Sequence, residues 1–324
     1  PAGVVYGAGY NGNGQLGNGS TLGTPLPTRV GNLSGMEQVA SGANHALALK
    51  AGRVFAWGYN FYGQLGGNLG TSSASPVEIA NLDQVTHVAA GGNHSLALRS
   101  DRTVLAWGSN TYGQLGDGSD LPTRTAPATI SALSGSAAIS AGGNHSLALT
   151  TAGNLFAWGG NEYGQVGDGS QINRTTPQSI GTLTNVTAIA ACGSHSMALK
   201  RDGTVWTWGL NDFGQLGYNT ASAGSPPVIL PQITPSQVVT LGTGVALIAC
   251  GATHSMALKT DGTLWTWGGN SNGQLGAGST SGTARTVPAM VSSIAQAVAI
   301  GGGARHSMVV DSGGKVSLFG DNTF

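Results

Sequence analysis

A chain of 324 residues with 55 glycines, thirteen basic against thirteen acidic side chains and only 8% charged residues is long enough to bury a large core. It carries no electrostatic footprint for nucleic acid or anionic lipid, both of which need clustered Lys and Arg. Its closest approach to an uninterrupted apolar span, VALIAC at 245–250, is far too short to cross a bilayer.

The first recognisable stretch, GYNGNGQLGNGS at 9–20, places Gly12, Gly14 and Gly17 in the spacing G-x-G-x-x-G. A phosphate-cradling loop with that spacing requires a helix after it. The residues beyond Gly17 include Gly19, Gly23, Pro25 and Pro27, a run no helix interior tolerates. The loop belongs instead to a repeat: GQLG recurs at Gly14, Gly63, Gly113, Gly214 and Gly273, with GQVG at Gly164. Each copy follows an aromatic-Gly pair, at Trp57, Trp107, Trp158, Trp208 or Trp267, except the first, where Ala8 stands in its place; a further such pair stands at Phe319. A histidine strand signature recurs at His45, His94, His145, His195, His254 and His306.

Within a unit, runs such as HSLAL and TVLAW are short, apolar and rich in strand formers. SDR, TAG, RDG or TDG between them read as tight hairpin turns. VTHVAAG and its equivalents read as a further strand, and the stretch after the TP, SP or VP proline as a fourth. Four short strands recurring every fifty residues or so predict an all-β chain whose units are the blades of a β-propeller. A solenoid would need polar caps at both ends, and no atypical capping unit is visible. The expected organisation is one propeller domain over 1–324, with repeats at 4–50, 53–99, 103–149, 154–199, 204–258 and 263–310 and a partial one at 315–324.

The pattern V-x-x-W-G-x-N-x-x-G-Q-L-G, then Pro, then A-x-G-x-x-H-S-x-A-L-x-x-D-G resembles the regulator of chromosome condensation repeat, from Val5 to Asn322. The resemblance implies a seven-bladed propeller whose relatives include exchange factors for a small GTPase, ubiquitin-ligase modules, a plant UV-B photoreceptor and a bacterial inhibitor of β-lactamases. Six complete units plus the opening strand KVSLFG are present. A seven-bladed parent chain continuing with Gly-Gln is favoured over a closed six-bladed ring.

Several chemical motifs have plainer readings. Histidines on sheets about 10 Å apart are too distant to share a metal, an argument that weakens near the axis. They are expected, with Trp57, Trp107, Trp158, Trp208 and Trp267, to be structural. Cys192 and Cys250 are expected to be free, buried thiols in equivalent places. His87 lies outside the repeat register. GNSNG around Ser271 lacks the strand-to-helix turn of a nucleophile elbow, and GDGS lacks the alternating acids of a calcium loop. The photoreceptor's GWRHT motif is missing, and Trp206/Trp208 and Trp265/Trp267 should place one ring on each side of their strands. Arg124, Arg174 and Arg285 recur before the proline.

Function is expected on the rim loops, where residues two and four places after the aromatic vary. Tyr10, Tyr59, Phe61, Thr111, Glu162, Leu210 and Asp212 are the candidate partner-binding residues, with Tyr10, Tyr59 and Phe61 as an aromatic cluster. The expectation is a non-enzymatic scaffold that binds another protein, needs no cofactor or metal, binds no nucleic acid and inserts in no membrane. Low charge and abundant Ser, Thr, Gly and Asn suggest a secreted or cell-surface bacterial setting, with a cytoplasmic one as the alternative. An exchange factor-like regulator of a small GTPase and an inhibitor of an extracellular enzyme are the alternative functions.

Overall fold

A computed structural model describes residues 3–218, 231–278 and 282–323; Phe324, at the end of the partial repeat, lies outside them. The described residues form 25 strands and a single 3-10 turn at Val239–Leu241. The first complete blade runs Gln38–Ser41, His45–Lys50, Arg53–Tyr59 and Ser72–Glu78. Its strands are antiparallel neighbours in chain order, and four further four-stranded sheets repeat that order. The turn linking the histidine and tryptophan strands takes positive φ, at Gly203 (78°) and, where the glycine is replaced, at Arg102 (71°). The proline lies within the fourth strand rather than before it, as in SSASPVE at Ser72–Glu78. There it sits beside a register shift on the outer strand, the place where a missing N–H costs least.

The sheets are offset from the sequence repeats: a blade opens with the last two strands of one repeat and closes with the first two of the next. The offset leaves a sheet of two strands, Tyr6–Gly9 and Thr24–Arg29, at the start and one of three, Ala297–Gly302, His306–Asp311 and Val316–Gly320, at the end. The ring therefore has six blades, the sixth lacking its outer strand, plus a small sheet holding the third and fourth places of a seventh. Tyr6–Gly9 and Val316–Gly320 occupy the same place in their sheets, as their sequences imply. One flank of the three-stranded sheet is uncovered. Val316 is 50% exposed where its equivalent Leu264 is 0%, and Met308 is 42% exposed where Met256 is 0%.

Apolar packing lies between blades rather than within them. Leu47, Leu65, Ile79 and Leu82 of the first blade close around Val88 and Trp107 of the second, and the later interfaces repeat this arrangement. First strands of neighbouring blades contact one another along the axis. Their approach is so close that a Cβ on Gly42 would meet the Gly91 carbonyl and one on Gly142 the Cys192 carbonyl.

That closeness overturns the expectation of free thiols. Cys192 and Cys250 form a disulfide between the fourth and fifth blades, with Cα atoms 5.7 Å apart. The 10 Å sheet spacing does not hold at the axis. The two cysteines are also not equivalent: Cys192 stands three residues before His195, Cys250 four before His254. Cys192 takes the place of the axial glycine, and the one-residue offset aligns its sulfur with that of Cys250.

Candidate functional site

Each rim loop is built by two polar side chains. The buried asparagine of W-G-x-N accepts, through Oδ1, the backbone N–H five residues on: Asn60 from Leu65 at 2.9 Å, Asn161 from Val166 at 2.9 Å. Its Nδ2 donates to carbonyls of the return loop, as Asn110 does to Ser119 and Leu121. The glutamine of GQLG accepts through Oε1 the N–H two residues earlier, holding the backbone of Tyr62 (3.1 Å), Tyr112 (2.8 Å), Tyr163 (3.0 Å) and Phe213 (2.9 Å).

The same glutamine ties neighbouring blades together. Its backbone carbonyl accepts the indole N–H of the next blade's tryptophan, Gln64 from Trp107 at 2.8 Å and Gln114 from Trp158 at 2.9 Å. It also accepts the hydroxyl of the next blade's serine, Ser95 to Gln64 and Ser146 to Gln114, both at 2.9 Å. That serine meets the preceding blade's histidine: His45 Nε2 to Ser95 Oγ, His94 to Ser146 and His145 to Ser196, each 2.9 Å. His45, His94, His145, His195, His254 and the five blade tryptophans are buried. Burial lowers the imidazole pKa to about 4 at His45 and about 3 at His94, His145 and His195. His306, at the uncovered sixth blade, is exposed.

GQLG's last glycine is a notch for the neighbouring indole: a Cβ on Gly17 would stand 2.7 Å from the Trp57 ring. The supposed phosphate fingerprint is thus half blade-packing glycine and half accident. In the WTWG copies Trp208 is buried and Trp206 half-buried beneath the Lys200 ammonium, 5.5 Å from the ring centroid. Arg124 and Arg174 pair with Asp117 and Asp168 of the GDGS loops, the latter at 2.6 Å.

On this frame the variable positions separate. Four places after the aromatic the side chains face solvent: Phe61 (64% exposed), Thr111, Glu162 and Asp212. Two places after it Ser109 is buried and Tyr59 and Leu210 are half-buried, while Tyr10 in the first copy is exposed. Tyr59 and Phe61 stack with centroids 6.3 Å apart, and Tyr62 closes the cluster edge-on at 5.1 Å from Phe61 and 6.3 Å from Tyr59. Tyr10 stands on the neighbouring loop, exposed, its hydroxyl folded over Gly12 where a Cβ would collide with it. Tyr62 is a member the sequence pattern concealed, because the residue before GQLG reads as frame. At that same place Tyr112 and Phe213 are also exposed. A groove beside Tyr112 is lined by Thr111, Ser119, Asp120, Asn173 and Thr175. The rim therefore runs from an aromatic cluster on the first blade to Glu162 and Asp212 on the third and fourth.

A ring of near-identical blades bolted by His–Ser–Gln–Trp links, its side-chain variation concentrated on one rim, defines a repeat propeller of the binding kind. The chain belongs to the RCC1-like domain family, whose pattern matches residues 126–324; regulator of chromosome condensation (RCC1) repeats match 2–49, 51–98 and 101–149. It is 32% identical over 187 residues to the human E3 ubiquitin-protein ligase HERC2, covering 57% of this chain and 4% of that protein. It is 37% identical over 86 residues to the mitochondrial RCC1 domain-containing protein RUG3 of Arabidopsis thaliana, 26% of this chain and 19% of that one. It thus spans a small part of these relatives' length. The crystal structure of Prp20p from Saccharomyces cerevisiae, described with its binding to Gsp1p and histones, superposes with a TM-score of 0.85 at 25% identity, over 98% of this chain and 81% of that one.

The chain is an RCC1-type repeat β-propeller. No helix among the described residues is long and apolar enough to cross a membrane. The expectation of a secreted or cell-surface bacterial protein does not stand, because the relatives are a human ligase, a mitochondrial plant protein and a yeast protein described with Gsp1p and histones. Low charge reflects how the rim is built, from Asn, Gln, Ser and backbone hydrogen bonds, and carries no information about compartment.

Proposed function

We propose that the chain is an intracellular interaction module of the exchange-factor type, which grips a small GTPase with its rim. The observation that carries this is the Tyr59–Phe61–Tyr62 cluster, which presents Phe61 to solvent on a backbone pinned by Asn60 and Gln64. Preorganised aromatics at the edge of a rigid scaffold are the residue type that dominates protein interfaces. The likeness to Prp20p, described by its binding to Gsp1p, supports the partner class. Glu162 and Asp212 farther round the rim favour a partner surface that places basic side chains beside an apolar patch. Histones are the poorer fit, since thirteen acidic side chains are matched by thirteen basic ones.

Calorimetry against a panel of nucleotide-free small GTPases should find one that binds, and the chain should speed release of its nucleotide. Phe61→Ala should then weaken binding by about 2 kcal/mol, roughly 30-fold in Kd, without moving the unfolding midpoint. Unchanged affinity in that variant would move the contact off this rim. Failure of every GTPase to bind would remove the exchange-factor reading.

A further inference from the structure

The disulfide lies against a histidine whose free nitrogen has nothing to bond. Ser255 Oγ donates its only proton to the Gln215 carbonyl at 2.8 Å, so across its 2.9 Å contact with His195 Nε2 it must accept. His195 is therefore the Nε2–H tautomer, and its Nδ1 carries a bare lone pair. That nitrogen is buried and without a hydrogen-bond partner. At His45, His94, His145 and His254 the equivalent nitrogen faces the axial glycine: Gly42, Gly91, Gly142 or Gly251. At His195 that glycine is Cys192. The sulfurs of Cys192 and Cys250 and a ring nitrogen of His195 all lie within 4.8 Å of one another. With Nε2 engaged by Ser255, Nδ1 is the nitrogen available to a third atom.

We propose that the reduced thiols of Cys192 and Cys250, with His195 Nδ1, form a binding site for a thiophilic d10 cation, Zn2+ or Cu+, which the disulfide closes and reduction opens. Opening is a dithiol exchange: a dithiol donor gives two electrons and two protons to the S–S bond, leaving two protein thiols and its own disulfide. Binding then releases two protons to solvent as two thiolates take the metal. Two thiolates and a neutral imidazole suit both ions. Zinc–sulfur bonds of about 2.3 Å place two ligating sulfurs roughly 3.8 Å apart, a separation the thiols take up only after reduction, from Cα atoms 5.7 Å apart. Cys192-x-x-His195 supplies two ligands from one turn and Cys250 the third from the next blade. Ser255 plays the orienting part that a metal-bound histidine's other nitrogen normally requires, and Gln215 fixes Ser255. Cys250 is only half-buried, which gives reductant and ion a way in.

The full chain, oxidised and phosphine-reduced, should be titrated anaerobically with Co2+ as a spectroscopic stand-in for zinc, and with Cu+ against a chromophoric chelator. The reduced chain should take up one equivalent, Co2+ showing thiolate charge-transfer absorption that Zn2+ displaces; the oxidised chain should take up none. Binding of one ion and not the other selects it within the class and sustains the site. Cys250→Ser, a near-isosteric change, should abolish the charge-transfer band. Ser255→Ala keeps all three ligands and should weaken binding roughly 10- to 100-fold. Equal uptake by the two redox forms, or a Cys250→Ser variant with band and stoichiometry intact, would overturn the proposal.

Discussion

Lowering the pH from 7.5 to 5.5 should cost the fold about 7 kcal/mol, before any carboxylate is protonated. The groups responsible are His45, His94, His145, His195 and His254. Burial pushes their pKa values down to about 4, 3, 3, 3 and 4, with the charges of neighbouring histidines adding to the effect at His94, His195 and His254. In the unfolded chain each returns to about 6.5. Because the folded values are lowered, the stability they contribute is complete above pH 6.5 and is lost as the pH falls below it, while the unfolded chain takes up protons that the native state refuses. Between pH 7.5 and 5.5 each histidine contributes about 1.4 kcal/mol to that loss, against a typical total stability of roughly 5–15 kcal/mol.

Carboxylates act in a lower window. Burial pushes Asp168 up, but hydrogen bonds from Ser170 and Arg174 outweigh it and hold the group below the usual range, so its contribution fades only below about pH 4. Urea midpoints measured at the two pH values test this directly. His94→Gln, whose amide can still donate to Ser146, should remove about a fifth of the pH dependence. A midpoint indifferent to pH across this range would mean that the histidines are wet and titrate normally.

What could be read from the residues followed distance from the axis. Strand order, turns and blade architecture were legible because they depend on local patterning: Gly203 at a positive φ between two apolar runs specifies a hairpin wherever the hairpin lies. The pairing of Tyr59 with Phe61 was legible too, since both stand at places that vary from copy to copy. Tyr62 was not, because its place is filled by Tyr, Tyr and Phe in the next three blades and so resembles scaffold. The inward turn of Ser109 was hidden for a different reason: alternation at the end of a strand depends on how the loop leaves it. The disulfide was the furthest out of reach. A spacing of 58 residues between Cys192 and Cys250 gives no radial position, and an average sheet separation does not describe strands converging on an axis. The visible signal was the offset from histidine, three residues in one copy and four in the next, with the cysteine standing where other copies need glycine.

Trp107→Ala should be the most damaging single substitution in the interface between the first two blades, costing about 3–5 kcal/mol. Trp107 is fully buried among Leu65, Ile79, Leu82 and Val88. Its ring fits the notch left by Gly66, where a Cβ would stand 3.1 Å from Nε1, so a truncated side chain leaves a cavity walled by close-packed backbone that cannot collapse. The lost N–H also leaves the Gln64 carbonyl with Ser95 as its remaining donor, a smaller penalty of about 1 kcal/mol. Trp107→Phe separates the two terms: it retains most of the ring and loses the donor, and should fall well short of the alanine variant. Trp206 supplies the control. It is half-buried on the other side of its strand, covered by Lys200 and bonded to Thr204 at 3.2 Å, and Trp206→Ala should cost no more than about half as much as Trp107→Ala. Urea unfolding of the three variants gives the comparison. Equal losses in Trp107→Ala and Trp206→Ala would mean that the blade interface is not where the stability resides.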